Sequence, residues 1–525
     1  MSSVDLLPPL LIAAPILAAT LPIALGLWFD RTGWSVAGIT SLGLFAGAAV
    51  LANEVYASGE AVTHKLGGYP RTYGIELVAD QFSMLIVLLV TGVALGVLAY
   101  TRRGGPRGNT FYTAYLLLIG GLLGISLTGD VFNLFVFLEI TSIATYALVA
   151  SGDGPEAAVA ALKYLILGTV AASMYLIGVA FVFMATGTLN MVELADAIPD
   201  AERLTLLRAG FAFMVVGFAV KVAQWPLHTW QPSAYNRAPD GVTPLIAALV
   251  STASAYAFGR VIVTVFEVDY ISSTMPRAAA IVVTIGCVSV LAGTVLAVIQ
   301  SEVKRMLAYS SVSQFGLVIA AYGVVIAGNS ETAFIGAAIH LVGHGLLKAG
   351  LFLGAGLVAI SYDARTVDEY AGLAKDRPIA AGTMAVLLLA LVGVPPGVGF
   401  VGKWYIAVGA VQSELWPVAA VIFLSTMLTL AYAARLIEKM YFTPSSPVER
   451  SHASGATGVA ATDGGTGPES GTAITAAFRG RGSPDDVSAG MLAIVVVAAL
   501  GAVVLGFAGG TIADMLGPFL TEVFN

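Results

Sequence analysis

Charge-free apolar runs of about twenty residues recur along this chain, separated by short stretches that gather charges, glycines and prolines. A helix crossing a bilayer needs roughly 20 mainly apolar residues, because each rises 1.5 Å through about 30 Å of hydrocarbon. That length predicts helices near 6–29, 33–53, 80–101, 110–129, 131–150, 157–186, 207–226, 243–266, 277–300, 304–327, 331–361, 379–411, 416–441 and 487–512. The fold class expected is therefore an all-α integral membrane protein of about fourteen transmembrane helices. Composition agrees: 58% of the 525 residues are hydrophobic and 11% charged, where a soluble domain carries about 25% charged residues. A net charge of −7 argues against nucleic acid as a partner, since that binding needs clustered basic residues. The single cysteine, Cys287, allows no disulfide within the chain and no thiolate metal cage, and no cofactor is expected. The first run, Leu6 to Phe29 with Pro8, Pro9 and Pro15, lacks a basic flank and is too long for a signal core, so it reads as a retained helix.

Orientation follows from the bias of Lys and Arg among short loops. With the N-terminus outside, inner loops hold Arg31, Arg102, Arg103, Arg107, Arg237, Lys304, Arg305, Arg365, Lys375, Arg377, Arg435, Lys439, Arg450, Arg479 and Arg481. Outer loops hold Lys65, Arg71, Arg203, Arg208 and Arg277. Both termini are expected outside a cell membrane. Two connections are long. Residues 57–79 contain Gly67-Gly68-Tyr69-Pro70 between alternating positions, which suits a small hairpin. Residues 443–486 are rich in Ala, Gly, Ser and Thr without apolar periodicity, the pattern of a flexible inner loop.

Residues 1–106 make three outer helices, followed by two blocks of five at 107–270 and 271–442; helix fourteen and a short tail occupy 487–525. Tandem blocks of odd helix number enter the membrane from opposite sides, so a structural repeat would be inverted. The fourth helix of each block is interrupted and carries a lysine: Lys221 stands shortly before Trp225-Pro226, and Pro395-Pro396-Gly397 precedes Lys403. Matched broken helices in two halves point to an ion site near the membrane centre. Proline removes a backbone donor and frees carbonyls, which is tolerable only facing protein or water. Prolines that merely kink packed helices are the alternative; the paired lysines favour the ion site.

An ionised side chain at a helix centre costs about 2.5–3.5 kcal/mol on the insertion scale, so each one needs a reason. Glu139 follows Asn133-Leu-Phe-Val-Phe-Leu, too deep in its span to reach either surface, and Lys221 follows twelve charge-free residues after Arg208. Lys163 lies nearer the inner end of helix six, where reaching back to the interface is a competing reading. His340, His344 and Lys348 recur every four residues, which puts all three on one helix face. Imidazole both donates and accepts, so stacked histidines suit proton hopping. A metal would need further ligands, and no cysteine or carboxylate stands near the pair; haem would need axial partners on separate helices, and His64, His228 and His452 fall in loops. Lys403 follows the glycine-rich Gly397-Val-Gly399-Phe400-Val-Gly402. Static ion pairs could account for any single charge; a series spread over helices five, six, seven, eleven and twelve favours proton transfer.

The segments Asn133 to Glu139, Gly187-Thr-Leu-Asn190-Met191, Pro226-Leu-His228-Thr-Trp230 with Ala238-Pro239, Lys304-Arg-Met-Leu-Ala-Tyr309-Ser-Ser-Val-Ser-Gln314, and His340 to Lys348 resemble the proton-translocating antiporter-like subunits. These comprise the A-type and D-type proteins of Mrp sodium/proton antiporters, three large membrane proteins of respiratory complex I, and relatives in membrane-bound hydrogenases. The resemblance covers nearly the whole chain, most strongly residues 5–442. It implies fourteen helices with inverted five-helix repeats. It also implies that Glu139 modulates Lys221, that His340, His344 and Lys348 form a central axis, and that Lys403 exchanges protons with the outer side. Lys403 stands where the complex I M type has glutamate, the L type ends in a long lateral helix, and the Mrp A type is much longer. An Mrp D-type protein, a hydrogenase relative or the complex I N type remain, with Leu189-Asn190-Met191 leaning towards the D type. One departure is Thr252, which holds the place of a helix-eight lysine shortly before Tyr256; Arg260 follows one turn later.

Two functions follow. In one, protons moving through this chain drive sodium export by an assembled Mrp complex. In the other, electron transfer in partner proteins drives the same route, since the chain has no nucleotide, flavin or cluster motif of its own. A lipid-embedded scaffold without conduction would leave the buried charges unexplained. Lipid, protons, sodium and further membrane proteins of the same complex are the partners expected.

Overall fold

The computed structural model describes residues 4–29, 32–106, 108–444 and 488–524. The chain is an all-helical, multi-pass membrane protein with one small hairpin. Among the described residues, thirteen helices are long and apolar enough to cross a bilayer. They begin with α1 (Val4–Leu25), α2 (Gly33–Ser58), α3 (Gln81–Gly104), α4 (Asn109–Leu127), α5 (Val131–Ala150) and α6 (Pro155–Thr186). They continue with α7 (Leu204–Lys221), α8 (Thr243–Val265), α9 (Ala278–Val298), α10 (Val303–Gly328) and α11 (Glu331–Tyr362). Next comes α12, two half-helices at Pro378–Val392 and Val398–Gln412, then α13 (Trp416–Phe442) and α14 (Ala489–Phe507). With α12 counted as one broken span, the fourteen expected are all present.

Burial sorts these helices into layers. The most apolar stretch of α8 is wholly buried and those of α10 and α11 nearly so, whereas α1, α2, α13 and α14 leave most of theirs open. The buried helices are the polar ones: α8 carries Ser251, Thr252, Ser254, Tyr256 and Arg260, all buried. Hydroxyl and charged groups cost free energy against hydrocarbon and therefore sit inside a ring of apolar helices. Two π-turns, Ile246–Val250 and Val261–Val265, bracket the Ser251–Arg260 segment; such turns often mark functional stretches of a helix.

Local sequence sets the boundaries. Asp80 accepts from the Ser83 N–H at 2.8 Å while the Ser83 hydroxyl accepts from the Asp80 N–H at 2.8 Å, a reciprocal cap that starts α3. Between α2 and α3, the strands β1 (Val62–Lys65) and β2 (Glu76–Ala79) pair antiparallel, Val62 opposite Ala79 and Lys65 opposite Glu76. This is the hairpin expected from the alternation. Helices α9 and α10 pass with backbones in contact: a Cβ on Gly286 would lie 2.4 Å from the Ala320 nitrogen and 2.7 Å from the Gly316 oxygen. Small residues permit such crossings where burial of apolar area gives no drive between helices.

Some boundaries differ from expectation. Helix α7 ends at Lys221 rather than near 226, because the chain turns through Val222 to Gln224 ahead of Pro226. Helix α14 ends at Phe507, and the expected short tail is instead a second helix, α15 (Gly509–Phe524). Its Ile512, Leu516, Phe519 and Leu520 are buried, an i, i+4, i+7, i+8 stripe that docks on the bundle. The expected flexible loop falls largely at 445–487, outside the described residues, as do Arg31, Arg107, Arg450, His452, Arg479 and Arg481.

Candidate functional site

The break in α7 positions Lys221. Pro226 offers no N–H and disfavours the helical region for Trp225; both Trp225–Pro226 and Pro395–Pro396 are cis. The Val220 carbonyl, which accepts the Ala223 N–H at 3.0 Å in the turn, also accepts from the Trp230 indole at 2.9 Å, and that indole stacks on Tyr164 of α6 at 4.1 Å. Lys221, the last helical residue, is 8% exposed. Its ammonium donates to the Ser142 hydroxyl at 2.6 Å and stands 3.5 Å from a Glu139 carboxylate oxygen. Glu139 and Ser142 lie three residues apart on α5, so both reach the lysine from one helix face. At an effective dielectric of about 20, two unit charges at that separation attract by roughly 5 kcal/mol before desolvation is counted. Moving the ammonium by a few ångströms therefore changes its hold on a proton substantially.

The break in α12 positions Lys403 in a comparable way. Its ammonium donates to the Val392 carbonyl at 2.9 Å and the Leu391 carbonyl at 3.2 Å, which are the last carbonyls of the first half-helix. These lack intrahelical donors and carry the negative end of the helix dipole, so a cation suits them. Lys403 adjoins Gly402, where a Cβ would lie 3.0 Å from His340 Nδ1. Glycine there lets α12 come up against the histidine.

His340, His344 and Lys348 share one face of α11, as their spacing requires. The two imidazoles are near-parallel with centroids 6.1 Å apart. Both are buried, and none of their four ring nitrogens has a hydrogen-bond partner among the described residues. Lys348 is fully buried and donates to the Leu307 carbonyl at 2.7 Å and to the Ser310 hydroxyl. Thr252 is fully buried, and its hydroxyl has no hydrogen-bond partner among the described residues, neither Lys221 nor the histidines. Lys163 is half-buried on α6, within electrostatic reach of His228 but not bonded to the Glu139–Lys221 pair. His228 does lie in the turn of α7, as expected, yet it is 7% exposed with Nδ1 unpartnered and its ring 5.8 Å from Tyr309. His64 sits on β1.

Other groups were not singled out by spacing. Ser142 and Ser310, each the hydroxyl partner of a buried lysine, look like ordinary helix residues in sequence. Asp80, besides capping α3, pairs with Arg260 of α8. Arg260 also donates to the Tyr256 hydroxyl at 2.9 Å, which donates to the Ser126 carbonyl at 3.0 Å. Phe519 of α15 covers the guanidinium at 5.2 Å. Titratable groups facing one another on crossing helices, with Lys221 buried and Glu139 25% exposed, and a second helix carrying buried, unpartnered imidazoles, are an arrangement suited to proton relay.

A family model described as "NADH:quinone oxidoreductase/Mrp antiporter, TM" matches residues 128–429, which include Glu139, Lys163, Lys221, Thr252, His340, His344, Lys348 and Lys403. The chain belongs to that family. It is an antiporter-like, proton-translocating membrane subunit of the Mrp or complex I type. The N subunit of the NADH-quinone oxidoreductase of Desulforudis audaxviator is 37% identical over 447 residues, covering 83% of this chain and 86% of the relative. The D subunit of the Na(+)/H(+) antiporter of Alkalihalophilus pseudofirmus is 31% identical over 399 residues, 75% of this chain and 79% of the relative. Among solved structures, a chain of an archaeal membrane-bound sulfane sulfur reductase superposes with a TM-score of 0.85 at 27% identity, covering 99% of this chain and 98% of that one.

Proposed function

We propose that the chain is the proton-conducting subunit of a multisubunit Mrp-type cation/proton antiporter. Protons pass along Glu139, Lys221, Thr252, the His340–His344–Lys348 face and Lys403, with Lys163 serving the first half, and sodium moves the other way across the assembled complex. The observation that carries this is the Lys221 ammonium held between Glu139 and Ser142 at the α7 break. The matching break at Lys403, beside His340, supports a two-block organisation (107–270 and 271–442) around a common axis. In this reading both termini face outside the cell membrane, and the end carrying Arg102, Arg103, Lys304, Arg365 and Lys439 is cytoplasmic, by the bias of basic loops. The likeness to an antiporter D subunit over three-quarters of the chain supports the Mrp assignment.

A second reading, an N-type subunit of a complex I or hydrogenase assembly, is favoured by the 37% identity to an N subunit. The two separate in one experiment. Everted vesicles holding the native assembly are given a proton gradient, and sodium is added while the gradient is followed by dye fluorescence. Sodium-dependent collapse of the gradient is expected, and it is expected to vanish in Lys221→Ala at unchanged abundance of the complex. Normal antiport in Lys221→Ala would sink the role given to that lysine. Proton movement driven only by quinone reduction, indifferent to sodium, would transfer the chain to the second reading.

A further inference from the structure

The stripe of α11 that carries His340, His344 and Lys348 winds on at the same four-residue step, turning about 40° each time, through Phe352 to Gly356. Gly356 therefore lies about 12 Å beyond Lys348 along the helix axis, towards the basic end of the bundle. There the face meets a carboxylate. A Cβ on Gly356 would lie 2.8 Å from the Asp240 Cβ and 3.0 Å from the Tyr100 hydroxyl. That phenol is wholly buried and has no hydrogen-bond partner among the described residues.

Asp240 follows the second helical segment of broken α7, Gln231–Arg237, and two cations converge on it. Lys304, at the start of α10, donates to Asp240 at 3.0 Å and to the Ala238 carbonyl at 2.7 Å. Arg365, on the α11–α12 connection, stands 3.8 Å from the other carboxylate oxygen and is 62% exposed, while the Asp240 side chain is 14% exposed. The cluster thus has a wet side at Arg365 and a dry side at Tyr100. It also stitches the two blocks together, since Asn236 of the first donates to Glu302 of the second at 2.8 Å; within the second block, the Val303 N–H donates to the Arg365 carbonyl at 2.9 Å. Glu302, Glu369 and Tyr370 complete the titratable surroundings of the Asp240, Lys304 and Arg365 charges.

We propose that Asp240, clasped by Lys304, is the proton-exchanging gate between the aqueous phase at the basic end and Lys348. This rests on the proton-conduction reading and adds to it where protons enter or leave that end. As the clasp closes, the protonated Asp240 acid gives up its proton towards the neutral Lys348 amine, leaving carboxylate and ammonium, and in the closed clasp the carboxylate stays ionised. Burial opposes the Asp240 charge, but the Lys304 and Arg365 cations outweigh it and hold the carboxyl below the usual range. When Lys304 withdraws, burial acts unopposed and favours the protonated acid. Uptake and delivery are thereby tied to one movement of the α10 end. Phe352, 5.9 Å from the Lys348 ammonium and 5.7 Å from Tyr235, is the apolar stretch that hydration must cross between the two groups.

The test uses the full assembly in vesicles, with transport measured against the pH of the solution bathing the basic end. Asp240→Asn is expected to assemble at wild-type level, lose at least tenfold in rate and lose the wild-type pH profile. Asp240→Glu is expected to keep at least half the rate with a displaced profile. A wild-type rate and profile in Asp240→Asn overturns the proposal. So does a loss in Asn that Glu leaves unrescued with its profile undisplaced, since that marks a merely structural clasp. Should Asn fail to accumulate, the Glu profile decides alone: displaced supports the gate, undisplaced overturns it. Lys221→Ala runs alongside. Inactive Lys221→Ala with normal Asp240→Asn removes this inference only, whereas normal Lys221→Ala removes the role given to Lys221 in the conduction reading on which it rests.

Discussion

Replacing Asp80 by asparagine isolates the energy of one buried ion pair. The Asp80 and Arg260 side chains are 6% and 9% exposed, so water cannot take over when the pair is broken. Asparagine still offers a carbonyl oxygen to the Ser83 N–H, which keeps the α3 cap and the roughly 1 kcal/mol such a cap contributes. The remaining loss is that of stranding the Arg260 cation, about 3–5 kcal/mol for a buried pair, or two to nearly four orders of magnitude in the folding equilibrium. Rings of Phe82, Tyr256 and Phe519 at 5.2–5.8 Å persist in the variant and stabilise the cation too weakly to offset this. Removing both charges, Asp80→Asn with Arg260→Met, should recover most of the stability, because the cation that the single variant strands is then gone. The assay is unfolding of the detergent-solubilised protein by increasing SDS mole fraction, followed by helical circular dichroism. A single Asp80→Asn variant within about 1 kcal/mol of wild type, or a double variant no better than the single, would refute the reasoning.

Two further predictions concern the bundle and the relay. Gly286→Ala forces α9 away from the α10 backbone and should cost about 1–3 kcal/mol in the same unfolding assay, against no loss, or a gain of up to about 1 kcal/mol, for Gly510→Ala, which has open space around it in α15. His340→Ala should lower vesicle transport more than His228→Ala, since His340 stands between His344 and the Lys403 segment while His228 sits in the α7 turn; equal effects would move His228 into the relay.

The outline of the fold was legible because lipid leaves few choices: a run of apolar residues with no charge must be a helix. The residues of the proposed relay were legible for a related reason, since Glu139, Lys221, Lys348 and Lys403 are conspicuous against such a background. Their partners were not. A serine such as Ser142 or Ser310 fits any membrane helix, and only the crossing of α5 over α7, or of α10 over α11, gives it a lysine to bond. Asp80 lies at a helix start, where a cap explains it fully; its pairing with a residue 180 positions later depends on tertiary packing alone. Helix α15 did carry a signal, the stripe from Ile512 to Leu520, but the apolar run of α14 reads on across Gly509 and Gly510 to residue 512 and leaves the rest as a short tail.

The central place of α8 constrains how the protein is made. Its Arg260 is inserted before α11 and α15 exist to enclose it, and at that moment the helix has only earlier segments for company. Asp80, already embedded with α3, is the carboxylate bonded to it. The nascent bundle must therefore bring its third and eighth spans together early, leaving synthesis of the second block to seal a polar seam that was neutralised beforehand.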